Sequence, residues 1–83
     1  MDFVVRTPAQ LGQALKARRA TEGLTQKDAG KRVGLLPKTI SALESTPERS
    51  SVESLLKLLA ALELELVMRE KSRRSKPTRT SEW

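Results

Sequence analysis

The 83-residue sequence has no cysteine and no histidine. Without cysteine there is no disulfide, no thiolate zinc site and no thiol nucleophile. Without histidine the commonest metal ligand and general base is missing as well. No cluster of side chains sets a nucleophile beside a base, so neither enzyme activity, nor a metal, nor a cofactor, nor a small-molecule substrate is expected. No apolar run approaches the roughly 20 residues of a membrane span. The N-terminus lacks the apolar core of a signal peptide, which makes the cytoplasm the expected compartment. A chain this short allows one small domain. Such a domain buries little apolar surface and usually needs a staple or a partner.

What is abundant is positive charge, and it is unevenly placed. The formal net charge is +6. Residues 1–40 carry eight Lys/Arg against three acids, residues 41–68 two against five, and residues 69–83 six against two. Basic ends around an acidic middle suit a polyanion on one face and a protein on another; taken alone, the charge equally describes a solvated surface.

The segment 24–44 gives that charge a context. Thr25 can cap a helix over Gln26–Val33, with Asp28 placing negative charge in its first turn. Gly34 can end that helix in a left-handed conformation, and Pro37 suits the first position of a next helix running to Ser45. Ala29, Val33, Leu35, Ile40 and Leu43 bracket the turn and point to one core. Two short helices locked around a glycine-containing turn form a helix-turn-helix unit, whose second helix enters the DNA major groove.

The flanking chain supplies the rest of a bundle. Residues 1–6, apolar at Phe3, Val4 and Val5, are either a strand fragment or an arm on the core. Thr7-Pro8-Ala9-Gln10 starts a helix that runs to about Glu22, with Leu11, Ala14 and Leu15 inward. Gly12 weakens it by up to about 1 kcal/mol relative to alanine. Ser50, with Glu53 three residues on, starts a fourth helix ending near Leu62. Its apolar residues fan over about 160°, wider than the ~100° stripe of an ordinary surface helix. That width means either a deeply sunk helix or a second contact, a dimer interface through Leu58 and Leu62. From Glu63 to Met68 the period changes to two, with Leu64, Leu66 and Met68 on one side. Either the helix frays here, or a strand forms that needs a partner, most simply its twin in a second subunit. Residues 69–83 form a polar, basic tail too poor in apolar residues to fold alone. Trp83, the only tryptophan, is either an interface anchor or an unselected end residue. The domain proper is thus residues 1–68.

The residues Gly23-Leu24-Thr25-Gln26, Gly34, Thr39-Ile40-Ser41 and Glu44 resemble the Cro and phage-repressor class over about residues 11–62. That resemblance implies an all-α, lambda-repressor-like bundle of four or five helices and dimeric binding to palindromic double-stranded operators. A closer likeness, to the HipB-type antitoxins, rests on Thr39-Ile40-Ser41, Glu44, Pro47, Lys57, Leu62-Glu63-Leu64 and the terminal Glu82-Trp83. It implies a HipA-type serine/threonine kinase toxin as partner and repression of the protein's own operon. With the strand, the expected assembly is a homodimer joined by an intermolecular two-stranded sheet.

Roles follow by position. Pro37, Lys38, Thr39, Ser41 and Ala42 are the candidates at base edges. Lys38 can donate to guanine, and the Thr39 methyl or Ala42 can pack on a thymine methyl. Gln26 resembles the family's phosphate-contacting glutamine, and Lys27, Lys31 and Ser45 are candidate backbone contacts; any one lysine is otherwise simply solvated. Each phosphate neutralised adds roughly −0.9 to the salt slope. The resemblance makes Arg19 and Glu44 a structural salt bridge, and Trp83 is the toxin-binding candidate. Four places depart from the pattern: Leu36 cannot cap, Pro37 replaces a base-reading residue, Ala29-Gly30 replaces the usual Leu-Ala, and Arg18 stands at an apolar position, where it is expected to snorkel. Three functions stay open: an antitoxin-repressor, a stand-alone phage-type regulator, and an adaptor that no longer reads DNA.

Overall fold

Three of the four helices begin where a hydroxyl takes a backbone hydrogen. The computed structural model describes residues 2–71, with α1 at Pro8–Thr21, α2 at Gln26–Val33, α3 at Pro37–Ser45 and α4 at Val52–Ala61. A single 3-10 turn, Pro47–Arg49, joins α3 to α4. At α1 the Gln10 N–H donates to the Thr7 hydroxyl (3.1 Å) and the Thr7 N–H donates to the Gln10 side chain (3.2 Å). Thr25 and Asp28 make the same reciprocal pair at α2, so each satisfies donors that a helix start leaves free. Residues 2–6 form neither helix nor strand, and Phe3, Val4 and Val5 lie along α1 near Gln13, Ala14 and Ala17.

The cap of α4 is Ser51, not Ser50. The Ser54 N–H donates to the Ser51 hydroxyl at 3.0 Å. Ser50 is taken up by the preceding 3-10 turn, its N–H donating to the Pro47 carbonyl at 3.0 Å. The helix therefore starts one residue later than the Ser50–Glu53 spacing suggests.

Each pair of helices packs for a local reason. α1 lies on α3, and α2 on both α3 and α4. Leu15, Ala29, Ile40, Leu43, Leu58, Leu59, Ala61 and Leu62 form the core, with Leu11, Leu24, Val33, Leu35, Leu55 and Leu64 packed around it. α1 and α3 approach closely at Gly12, where any Cβ would run into the Glu44 carbonyl.

Two expectations about the C-terminal half meet a different arrangement in the single chain. No strand occurs among the described residues. The period-two pattern fails at its first steps, because Leu62 closes α4 and Glu63 takes a left-handed conformation (φ 58°). The Glu63 N–H donates to the Ala60 carbonyl (3.1 Å) and the Leu64 N–H to the Leu59 carbonyl (2.8 Å), the paired bonds of a Schellman stop. Leu64 folds back onto the core. Leu66, Val67 and Met68 stay exposed on a segment without regular structure; a strand needs another strand's edge, and one chain offers none here. Second, Leu58 and Leu62 are fully buried in their own chain and have no surface left for a second copy. The exposed apolar flank of α4 is Val52 and Leu56 instead. The tail from residue 72 on, Trp83 included, lies outside the described residues.

The Glu63 turn has a measurable consequence. A non-glycine residue in the left-handed region is strained, and an acid at a helix C-terminus meets the negative end of the dipole. Glu63→Gly is expected to raise stability by about 0.5–1 kcal/mol, read as a higher midpoint in urea. An unchanged or lower midpoint would show that the side chain makes a compensating contact.

Candidate nucleic-acid interface

The turn between α2 and α3 is built from backbone. Gly34 is left-handed (φ 74°) and its N–H donates to the Gly30 carbonyl. The Leu35 N–H donates to the same carbonyl at 2.9 Å. Gly30 is buried with the Leu35 carbonyl against it, so a Cβ there would collide with backbone. The small Ala29-Gly30 pair thus lets the turn fold down on α2. α3 then starts at Pro37, whose missing N–H would have had no partner in any case.

On α3, Lys38, Ser41 and Ser45 fall on one face at i, i+3 and i+7 and are all exposed, while Ile40 and Leu43 point inward. Thr39 and Ala42 are half-buried, and Pro37 is exposed. Lys27 and Lys31 on α2 are exposed too. Ser45 donates its hydroxyl hydrogen to the Ser41 carbonyl at 2.8 Å. A phosphate only accepts, so this hydroxyl would have to rotate to serve it.

Behind that face sits a polar hub. Arg19 donates through Nε to Glu44 Oε2 (2.6 Å) and through Nη2 to Oε1 (3.1 Å), and through Nη1 to the Leu24 carbonyl (2.9 Å). The Gln26 amide nitrogen donates to Glu44 Oε1 at 3.3 Å. The Arg19–Glu44 pair therefore ties α1, the loop before α2, the start of α2 and the end of α3. The Glu44 side chain is 6% exposed and that of Arg19 16%. The hydrogen bond to Glu44, with the attraction of its charge, raises the Arg19 pKa against the opposing effect of burial. The Gln26 amide keeps its second hydrogen for an outside acceptor.

Two further arginines grip the end of α4. Arg18 Nε donates to the Leu62 carbonyl (3.0 Å) and Arg32 Nη1 to the Ala61 carbonyl (3.0 Å). Cations at a helix C-terminus satisfy orphan carbonyls and complement the dipole. Arg18 also pairs with Glu22 at 3.3 Å. Its head thus ends on protein, not in water as a snorkelling side chain's would. No local pattern in the sequence could have found this contact, because the partner lies 44 residues away.

Asp28 is held below its ordinary value of 3.8, first by the Thr25 backbone N–H, then by the Thr25 hydroxyl, then by Lys31 and Lys27. Its folded pKa lies below its unfolded one, so the stability it contributes is complete above pH 3.8 and is lost as pH falls through the folded value. The melting temperature of Asp28→Asn is expected to lie below wild type at neutral pH, with the gap closing in acid. A gap independent of pH would place the effect elsewhere.

Among the described residues no group of acidic, histidine or cysteine side chains could hold a metal ion, and no helix is long and apolar enough to cross a membrane. An exposed helix set by a glycine turn, lysines on both helices and a hub that fixes their angle define a helix-turn-helix domain. The family described as "Helix-turn-helix domain" matches residues 10–71. The chain is 34% identical over 64 residues to an Antitoxin HipB of Escherichia coli, covering 77% of this chain and 68% of that protein. A second Escherichia coli HipB is 33% identical over the same length, 73% of it covered. Among solved structures, a HipB–O4 20mer complex superposes with a TM-score of 0.79 at 30% identity, covering 83% of this chain and 97% of that one. A HipA–HipB–O2–O3 complex gives the same values. The chain belongs to the HipB antitoxin family of helix-turn-helix DNA-binding proteins.

Proposed function

We propose that this protein binds a palindromic operator as a homodimer, represses its own operon and neutralises a HipA-type serine/threonine kinase toxin, acting in the bacterial cytoplasm. The observation that carries the reading is the outward face of α3, held at a set angle by Arg19 and Glu44, in a chain 34% identical to a HipB antitoxin. Lys38 and Ser41 reach base edges, with Pro37, Thr39 and Ala42 beside them. Gln26, Lys27, Lys31 and, once rotated, Ser45 meet phosphates. A dimer would set two such helices about 34–36 Å apart, on half-sites one helical turn apart or a multiple of it.

The homodimer is supported by the exposed Val52 and Leu56 on α4 and Leu66, Val67 and Met68 beyond it, apolar side chains that a second copy would cover. In this reading Leu66 and Met68, beyond the core-packed Leu64, belong to a strand that forms only when two copies supply each other's edge. The toxin is supported by the family and by the solved HipA–HipB–operator complex. Trp83 is its candidate anchor, within the segment 69–83 that follows the domain (residues 1–68) in sequence.

Two measurements test this. The first is a gel shift with the protein's own promoter and a scrambled duplex over a range of salt. Selective binding with a steep salt slope is expected; equal affinity for both duplexes would leave only an interaction adaptor. The second is co-purification with a co-expressed HipA-type kinase, using the full chain and a chain truncated after residue 71. Capture that the truncation abolishes supports the Trp83 anchor. No capture by either chain would leave a stand-alone regulator.

A further inference from the structure

The leading end of α3 is unusually apolar for a surface meant to meet bases. Leu36 stands at its cap position, makes no side-chain hydrogen bond there and is 62% exposed. It is neither in the core nor packed against it. A serine or threonine here would satisfy an orphan backbone donor. Leucine forfeits that bond and leaves an apolar side chain in water. The Thr39 N–H falls back on the Leu36 carbonyl at 2.9 Å, but nothing in the fold covers the leucine side chain. Pro37, next in the chain, is exposed and brings no hydrogen-bond donor. Lys38, Ser41 and the half-buried Thr39 are the polar side chains left near this tip, since Ser45 turns its hydroxyl onto its own helix.

Chemistry narrows what such a tip can read. On the edges of base pairs in the major groove, the one apolar feature is the thymine 5-methyl group. We propose that Leu36, with Pro37 beside it, is a specificity-determining contact for thymine methyl groups. The half-site is then set at that position by apolar contact, while Lys38 supplies a hydrogen bond to guanine. This rests on the operator-binding reading above.

Replacing thymine by deoxyuridine removes the methyl and keeps the base pair, so it isolates the effect. The probe is the duplex that the wild-type full-length protein enriches from a random pool. It is remade with uridine at each thymine in turn, in both half-sites. Wild type is expected to bind about fourfold more weakly for each methyl lost at the contacted position, the factor for burying one CH₂. Leu36→Ser separates reading from folding, because it restores a cap. It should melt at a higher temperature than wild type and yet bind thymine and uridine duplexes equally; Leu36→Ala should lose the discrimination with no gain in melting temperature. An enriched duplex indifferent to uridine at every position overturns the inference, and so does a Leu36→Ser protein that keeps the full uridine penalty. A pool that yields no enriched sequence overturns the operator reading together with it.

Discussion

Gly12→Ala is expected to destabilise the protein by about 2–3 kcal/mol, the cost of overpacking a site that cannot give way. In a domain of this size that lowers the melting temperature by roughly 10–20 °C. Helix propensity alone points the other way, since alanine is favoured over glycine by about 1 kcal/mol in a helix interior. The added methyl, however, meets the Glu44 carbonyl, which is backbone and cannot rotate aside. α1 must then move off α3, and Arg19, about two turns along the same face, loses its register with Glu44. Thermal melts of wild type and variant decide between the two arguments. A more stable variant would mean that α1 and α3 do not approach as closely as described.

Arg19→Ala should cost about 3 kcal/mol, because it leaves a carboxylate out of water with its main partner gone. Glu44 would retain only the Gln26 amide, at 3.3 Å, and the Leu24 carbonyl would lose its donor. The double variant Arg19→Met with Glu44→Leu is expected to recover part of the loss, since replacing both charges removes the stranded one. Urea midpoints of wild type, Arg19→Met, Glu44→Leu and the double variant close a cycle and give the coupling directly. Additive losses would reduce the pair to a surface contact of little consequence.

These two cases mark how far the residues could be read. The starts of α1 and α2, the Gly34 stop, Pro37 at the head of α3 and the inward set around Ile40 and Leu43 all follow from contacts within a few positions. Capping and amphipathic spacing are local physics. The family resemblance, carried by residues from Gly23 to Glu44 and on to Leu64, agrees with the solved HipB structures. The same local logic failed where a neighbour intervened. Ser50 resembles a cap but is consumed by the 3-10 turn before it. The alternation after Leu62 resembles a strand, but its first step is a helix stop that turns on Glu63.

From the order of residues alone came a small, basic, all-helical helix-turn-helix domain, because charge, caps and a glycine turn act at short range. The assignment of Leu58 and Leu62 to the interior, the need for glycine at positions 12 and 30, and the hold of Arg18 and Arg32 on the end of α4 came from elsewhere. Each depends on which surfaces meet across tens of residues of chain. That meeting is settled by packing the whole core at once, and no window of neighbouring residues contains it.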